Sequence, residues 1–312
     1  EETQKEYDIH YREIRYITFA HDEATYNDLE RSCGWSNAYL IDKKDFQKEV
    51  SPYFNTNQNT YFAAQISQHC WQATPGPVID FIRNKGKERQ GEVLEDTHLV
   101  EVHKNGGKYH VLLYTHDKRY IEYECDHFVN ALGYSAERFA RMLGLYTGLY
   151  PVKHQALITH RLPNLGKDGD ILDMLIDRRK RNDFSAVYGQ QFAETGQIIA
   201  CASPAVDAKA EISNFDELKF NTRRFMEIIS EVFCDWIPSL ATVQATWSGY
   251  YVEPRYIIDP DNGLFVGLQG HGFMLAQYLA KLYVDKALGR TVPDYMERLR
   301  LDGDGISEKA FK

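Results

Sequence analysis

Leu264-Phe265-Val266-Gly267-Leu268-Gln269-Gly270-His271-Gly272-Phe273 is the stretch on which the fold turns. A short apolar run enters clustered glycines, and helical spacing then continues unbroken from Phe273 to Leu288. Strand, glycine turn and helix in that order put a helix N-terminus, with its free N–H groups, where a ligand can come close to backbone. A phosphate, a carboxylate or an electron-rich ring would suit the place. A tight turn with no ligand is the plainer reading. The glycine order is GxxGxG, not the GxGxxG of dinucleotide folds.

A second unit of the same kind lies upstream. Phe128-Val129-Asn130-Ala131-Leu132-Gly133 reads as a short apolar strand closing on glycine, followed by a helix over Ala136 to Leu143. Alone it is equally a core strand and turn, but two such units in one chain point to a ligand held where strand ends meet helix starts. Trp247-Ser248-Gly249-Tyr250-Tyr251 gathers three aromatics round a glycine. These either line an apolar pocket or pack a core strand.

Outward from these motifs, the chain alternates strand and helix signals. A strand is expected over Ile14 to Ala20, a helix over Ala24 to Arg31, a strand end at Ile41-Asp42, and a helix over Lys43 to Val50. Thr74-Pro75-Gly76-Pro77 opens a helix that places Val78, Phe81 and Ile82 on one face. Strands over 97–103, 109–115 and 120–124 form an antiparallel meander, since Asn105-Gly106-Gly107 is a strong hairpin signal. Later strands are expected over 152–159, 184–188, 197–202, 243–251 and 264–268, with a long amphipathic helix over 214–233.

Composition narrows the function. The 312 residues carry a net charge of −9, which argues against general nucleic-acid binding, and no apolar run approaches a membrane-crossing helix. The run Arg178-Arg179-Lys180-Arg181 reads as a solvated loop or a docking point for an acidic partner. The five cysteines, Cys33, Cys70, Cys125, Cys201 and Cys234, are scattered with no CxxC pair, which fits a reducing compartment such as cytosol or mitochondrial matrix. His69 beside Cys70 is a conceivable thiol–imidazole pair. The histidines show no HxxxH or HExxH spacing, so no metal site is expected, and neither a P-loop nor GxSxG occurs. The sequence opens at Glu1 with no signal peptide, so its start reads as a processed end, a trimmed end or the first ordered residue.

Taken in order, the Pro75-Gly76-Pro77 helix, the meander, Asn130-Ala131-Leu132-Gly133, Pro151-Val152-Lys153, Trp247 to Tyr251 and Gly270-His271-Gly272-Phe273 resemble the FAD-dependent D-amino acid oxidase and sarcosine oxidase superfamily. Within it, Trp247 to Tyr251, the Gly-His-Gly turn and the tail helix ending Gly289-Arg290 look most like a mitochondrial branch associated with respiratory complex I assembly. The family opens with strand, GxGxxG and helix, and the present sequence starts part-way into that pattern. It also has Leu132 where the family prefers alanine, Tyr134 where a small residue is common, and a shortened stretch round Asp259 to Gly263.

The resemblance implies an α/β protein: a partial Rossmann-like FAD-binding domain lacking its N-terminal βαβ, interleaved with an antiparallel substrate-type sheet. Residues 1–60 and 148–250 would form the substrate-type domain, 61–147 and 251–300 the FAD domain, and 301–312 a tail. It implies FAD, if the dinucleotide segment is supplied, along Gly133, Tyr134, Gly270, His271, Gly272, Phe273 and Met274, with Trp247, Tyr250 and Tyr251 on the substrate side. It implies oxidation of an amine or amino acid, on the matrix side of the mitochondrion, beside complex I subunits. A catalytically degenerate structural or assembly subunit and a stand-alone amine oxidase seen without its N-terminus are the alternatives. No catalytic residue is assigned.

Overall fold

Loose alternation in Tyr11–Ala20 makes strand β1, and its last four residues are all buried. The computed structural model describes residues 11–34, 36–204, 222–237 and 243–302. Asp22 caps helix α1 (Glu23–Cys33) by accepting from the Thr25 amide at 2.7 Å. β2 (Ala38–Asp42), a 3₁₀ turn (Lys43–Asp45) and α2 (Phe46–Glu49) follow, then β3 (Ala63–Ala73) and helix α3 (Pro75–Glu88).

Two compact units emerge, and over the described residues the chain crosses between them after Phe81, Val152 and Gly249. One takes residues through Phe81, from Lys153 into the strand ending at Pro204, and on through Gly249; the other takes Ile82–Val152 and the chain from Tyr250. The first crossing falls after α3 has begun and not at residue 60, because β3 pairs with β1 along nine residues and so belongs to the large sheet.

That sheet has eight strands in the order β11-β7-β10-β9-β8-β1-β3-β2. Its later members are β7 (Tyr150–Thr159), β8 (Met174–Asp177), β9 (Phe184–Gln191), β10 (Ile198–Pro204) and β11 (Val243–Glu253). The pairing is antiparallel at β1–β3, β2–β3, β8–β9, β9–β10 and β10–β7, and parallel between β1 and β8. A mixed sheet with helices is the α/β class the sequence implies.

Helix α5 (Thr222–Trp236) packs Phe225, Ile228, Val232 and Trp236 into the first unit's core beside Ile17, Phe19 and Leu175. The part of the expected 214–233 helix before Thr222 lies outside the described residues. Phe19 meets Phe54 at 5.3 Å and Tyr61 at 4.7 Å between ring centroids.

The basic run is neither a solvated loop nor a free docking patch. Arg179 turns inward onto Asp177, which is fully buried, with its amide 2.7 Å from Oδ1 and its Nε 2.7 Å from Oδ2. Arg179 also donates to Asp235 at 3.0 Å, Tyr61 donates to Asp177 at 2.8 Å, and Arg181 donates to Glu231 at 3.2 Å. Only Arg178 and Lys180 of the four are exposed. His69 and Cys70 do not pair: the His69 ring meets Glu13 at 2.7 Å, while the Cys70 thiol faces backbone carbonyls of Ser67 and Gln68.

The second unit holds the meander, β4 (His98–Asn105), β5 (Lys108–Tyr114) and β6 (Tyr120–Cys125), over helix α4 (Ala136–Met142). It also holds the ribbon β12 (Ile257–Asp259) with β13 (Leu264–Val266), helix α6 (Gly272–Ala287) and a short α7 (Met296–Leu299). Residues 128–133 do not form a regular strand. They make one parallel bridge, Asn130 to Leu264, fixed by the Asn130 amide on Gly263 at 2.8 Å. Helix α3 also departs from expectation: it buries only Val78, and Ile79 and Ile82 are each 50% exposed.

Candidate functional site

The two strand–glycine–helix motifs come together within the second unit. Buried Asn130 joins them: its backbone pairs with Gly263 and Phe265, and its side-chain amide donates to Ala136 at 2.9 Å. That amide oxygen also accepts from Leu132 at 3.3 Å, which sets the turn into Gly133.

Between the motifs is an apolar cavity of about 580 Å3. Val129, Ala131 and Gly133 form one wall, Tyr250 to Val252 another, and Phe265 to Gly270 the floor. Helix α6 closes it with Gly272, Ala276, Leu279, Ala280, Tyr283 and Val284. Aromatic and aliphatic walls with a few backbone groups are the usual make-up of a small-molecule site.

The floor is pinned to the segment 251–256, one contact after another. Gly267, at φ +73°, lies so close to Arg255 that a Cβ would sit 2.0 Å from its carbonyl oxygen. Gln269, left-handed at φ +47°, donates to the Pro254 carbonyl at 2.8 Å. Gly270, at φ +83°, lies against the Tyr251 ring, which a Cβ would meet at 2.4 Å. Tyr256 bonds His271 Nδ1 at 2.5 Å. Three left-handed residues within Gly267–Gly270, one of them the non-glycine Gln269, cost energy that only such fastening sustains.

Of the residues expected to hold a cofactor, Gly133, Gly270 and Gly272 line the cavity, as do Tyr250 and Tyr251 from the expected substrate group. Tyr134 sits behind, its ring 5.9 Å from that of Tyr250. His271 does not line the cavity; its ring turns to Tyr256, and the packing round it lowers its pKa although part of the side chain meets solvent. Phe273 and Met274 face outward, 42% and 62% exposed. Trp247 belongs to the other unit and is 43% exposed. The sequence reading did not pick out Val129, Leu279, Ala280, Tyr283 or Val284. The helical ones stand two to three turns from the glycines, where apolar spacing signals only a core face.

Burial raises the pKa values of Tyr250 and Tyr283, so both phenols stay protonated across the physiological range. Among the described residues, no three His, Cys, Asp or Glu side chains stand together as metal ligands.

Comparison with known proteins places this geometry. The model of the family described as DAO, FAD dependent oxidoreductase, matches residues 1–286, so the chain belongs to that family. No curated protein sequence matches it. Among solved structures, L-proline dehydrogenase from P. horikoshii superposes with a TM-score of 0.72 at 21% identity, covering 96% of this chain and 79% of that one. Glycine oxidase from Geobacillus kaustophilus gives 0.71 at 16%, covering 96% and 78%. L-alpha-glycerophosphate oxidase from Mycoplasma pneumoniae, with FAD bound, gives 0.67 at 14%, covering 89% and 73%. At these identities the shared feature is the fold.

The cavity suits the flat ring of a flavin. Its walls are apolar, and a Cβ on Gly133 would meet nothing within 4 Å, so the backbone there is open to a ring. The 16-residue helix α6 begins at Gly272 in the cavity wall, so its free N–H groups lie at that end of the cavity.

Proposed function

We propose that the protein is an FAD-dependent oxidoreductase of the amino-acid oxidase type, acting on the carbon–nitrogen bond of an amino acid or related amine. One observation carries this reading: an apolar cavity closed by a fastened Gly267–Gly272 loop at the start of helix α6. Flavin, when bound, supplies the two-electron acceptor for such a reaction. Gly133 would let it lie against backbone, and Tyr250, Tyr251 and Leu279 would keep water from its faces. The N–H groups opening helix α6 would favour negative charge gathering at that end of the cavity. The substrate class follows the names of two similar structures, a proline dehydrogenase and a glycine oxidase.

The setting we propose is the matrix side of the mitochondrion, beside respiratory complex I. Its support is the resemblance of Trp247 to Tyr251 and Gly270 to Gly272 to that branch, together with five unpaired, scattered cysteines.

The test is an absorption spectrum of the natively purified protein with its intact mass. A flavin band near ~450 nm, bleached on adding an amino acid or a secondary amine, supports the oxidase reading. A colourless protein that stays colourless with added FAD overturns it. Should that protein still travel with complex I through native electrophoresis, the scaffold serves assembly.

A further inference from the structure

The solvent-facing side of the β4–β5–β6 meander carries a row that sequence spacing concealed. His103 of β4 is directly opposite His110 of β5, and His110 is directly opposite Glu124 of β6. Directly opposed residues in antiparallel strands project to the same face, with Cβ atoms ~5 Å apart. The two imidazoles stack in parallel, their centroids 5.0 Å apart and planes 8° off. Two residues along, Glu101, Leu112 and Glu122 make the next row on that face. Three carboxylates therefore share that face with the two imidazoles, and Lys108 on the same face pairs with Glu124.

We propose that this face binds a divalent transition-metal ion through His103 and His110. Imidazole nitrogen suits Cu²⁺, Ni²⁺ and Zn²⁺, whereas a site for Mg²⁺ or Ca²⁺ would be built from oxygen alone. The histidines face each other from strands already held in register, so little backbone order is lost on binding. Stacked rings hold their nitrogen lone pairs in parallel planes, so both side chains must rotate to bring one nitrogen each to an ion at about 2.0–2.1 Å. His103 is exposed and His110 half-buried on the open face, which leaves room for that movement.

The Glu101 carboxylate is near, 3.7 Å from His103 Nδ1 and beyond hydrogen-bond reach, and its charge favours a cation on this face. Glu124 is the nearest further oxygen, and its exposed pair with Lys108 is worth little and easily given up. Water fills the remaining positions. No third ligand is in place before the ion arrives, which sets this clamp apart from a closed structural site. A clamp across β4 and β5 would fasten the hairpin from the solvent side.

Titration of the full-length protein with Cu²⁺, followed by electron paramagnetic resonance and by melting temperature, tests the proposal. The expected result is one tightly bound equivalent with nitrogen hyperfine structure and a raised melting temperature. His103→Ala and His110→Ala should each weaken that binding at least tenfold, while His98→Ala leaves it unchanged. Equal binding in the wild type and both variants overturns the proposal and means adventitious copper only. An equal loss in the His98→Ala control overturns it as well. Circular dichroism of the metal-free variants separates lost ligation from lost folding. Flavin absorbance is not a readout, so the outcome is independent of the oxidase reading.

Discussion

Gln191 shows how much of this fold can hang on one side chain. Fully buried at the end of β9, it accepts from the Leu165 and Leu172 amides at 3.2 and 3.1 Å and donates to the Pro163 and Gly196 carbonyls at 2.8 and 3.0 Å. Gln191→Leu would strand the buried Leu165 and Leu172 amides at once. The expected loss is about 3 kcal/mol or more, measured by urea unfolding, since each stranded group costs ~1–3 kcal/mol. Asp177 is the charged counterpart. Burial alone would raise its pKa, but the hydrogen bonds and charge of Arg179 outweigh burial and hold it below the usual carboxylate value. A lowered carboxylate contributes stability that is present above the unfolded pKa, near ~4, and lost as the pH falls through its own lower value. Arg179→Ala should thus cost ~3–5 kcal/mol at neutral pH, and less in acid, where the abandoned Asp177 can take a proton. Unfolding curves at pH 7 and pH 4.5 check the sign. An equal loss at both would mean that packing, not charge, is at stake.

At the level of elements, the Gly267–Gly272 turn and helix α3 make opposite predictions. Gly267→Ala puts a methyl group 2.0 Å from the Arg255 oxygen, at a φ that alanine avoids. Gly272→Ala meets only Leu268, at 3.6 Å. The first should destabilise by about 3 kcal/mol or more and abolish flavin uptake; the second should do neither, as thermal melts and flavin titration would show. Ile82→Glu on α3 should change stability by less than ~0.5 kcal/mol, because its side chain is half exposed.

These elements also show what the sequence could reveal. The meander was legible because Asn105-Gly106-Gly107 demands its turn and the flanking runs are β-rich. β3 was not, because Ala63 to Ala73 mixes alanine, glutamine and serine and lacks a two-residue period. β8, only four residues long beside a basic run, left no signal either. In the site, Gly133, Gly270 and Gly272 were placed by the family resemblance, and their glycine-before-helix order suggested only that a ligand could lie there. Tyr256 was not, since only the fold brings it to His271. The 128–133 run misled because an apolar stretch closing on glycine looks alike whether it forms a strand or a single bridge.

For the whole molecule, the crossings matter most. The core round Ala136, Ala140 and Leu149 is completed by Val252, Ile257, Leu264 and Val266 from the far end of the chain. A fragment of residues 82–152 expressed alone should therefore show no protected amides beyond the meander in hydrogen exchange. Protection across Ala136–Met142 in that fragment would contradict the prediction.

The parallel pairing of β1 with β8 reaches beyond the finished structure. Tyr16 faces Met174, 158 positions later (174 − 16). At ~5–20 residues per second, a ribosome needs roughly 8–30 s to make that stretch. For that interval β1, already apolar and β-rich, is a newborn strand with an unclaimed edge. The organism that makes this protein must shelter a half-built sheet while the other unit is being translated, so its yield in a foreign host should follow chaperone supply more closely than codon choice.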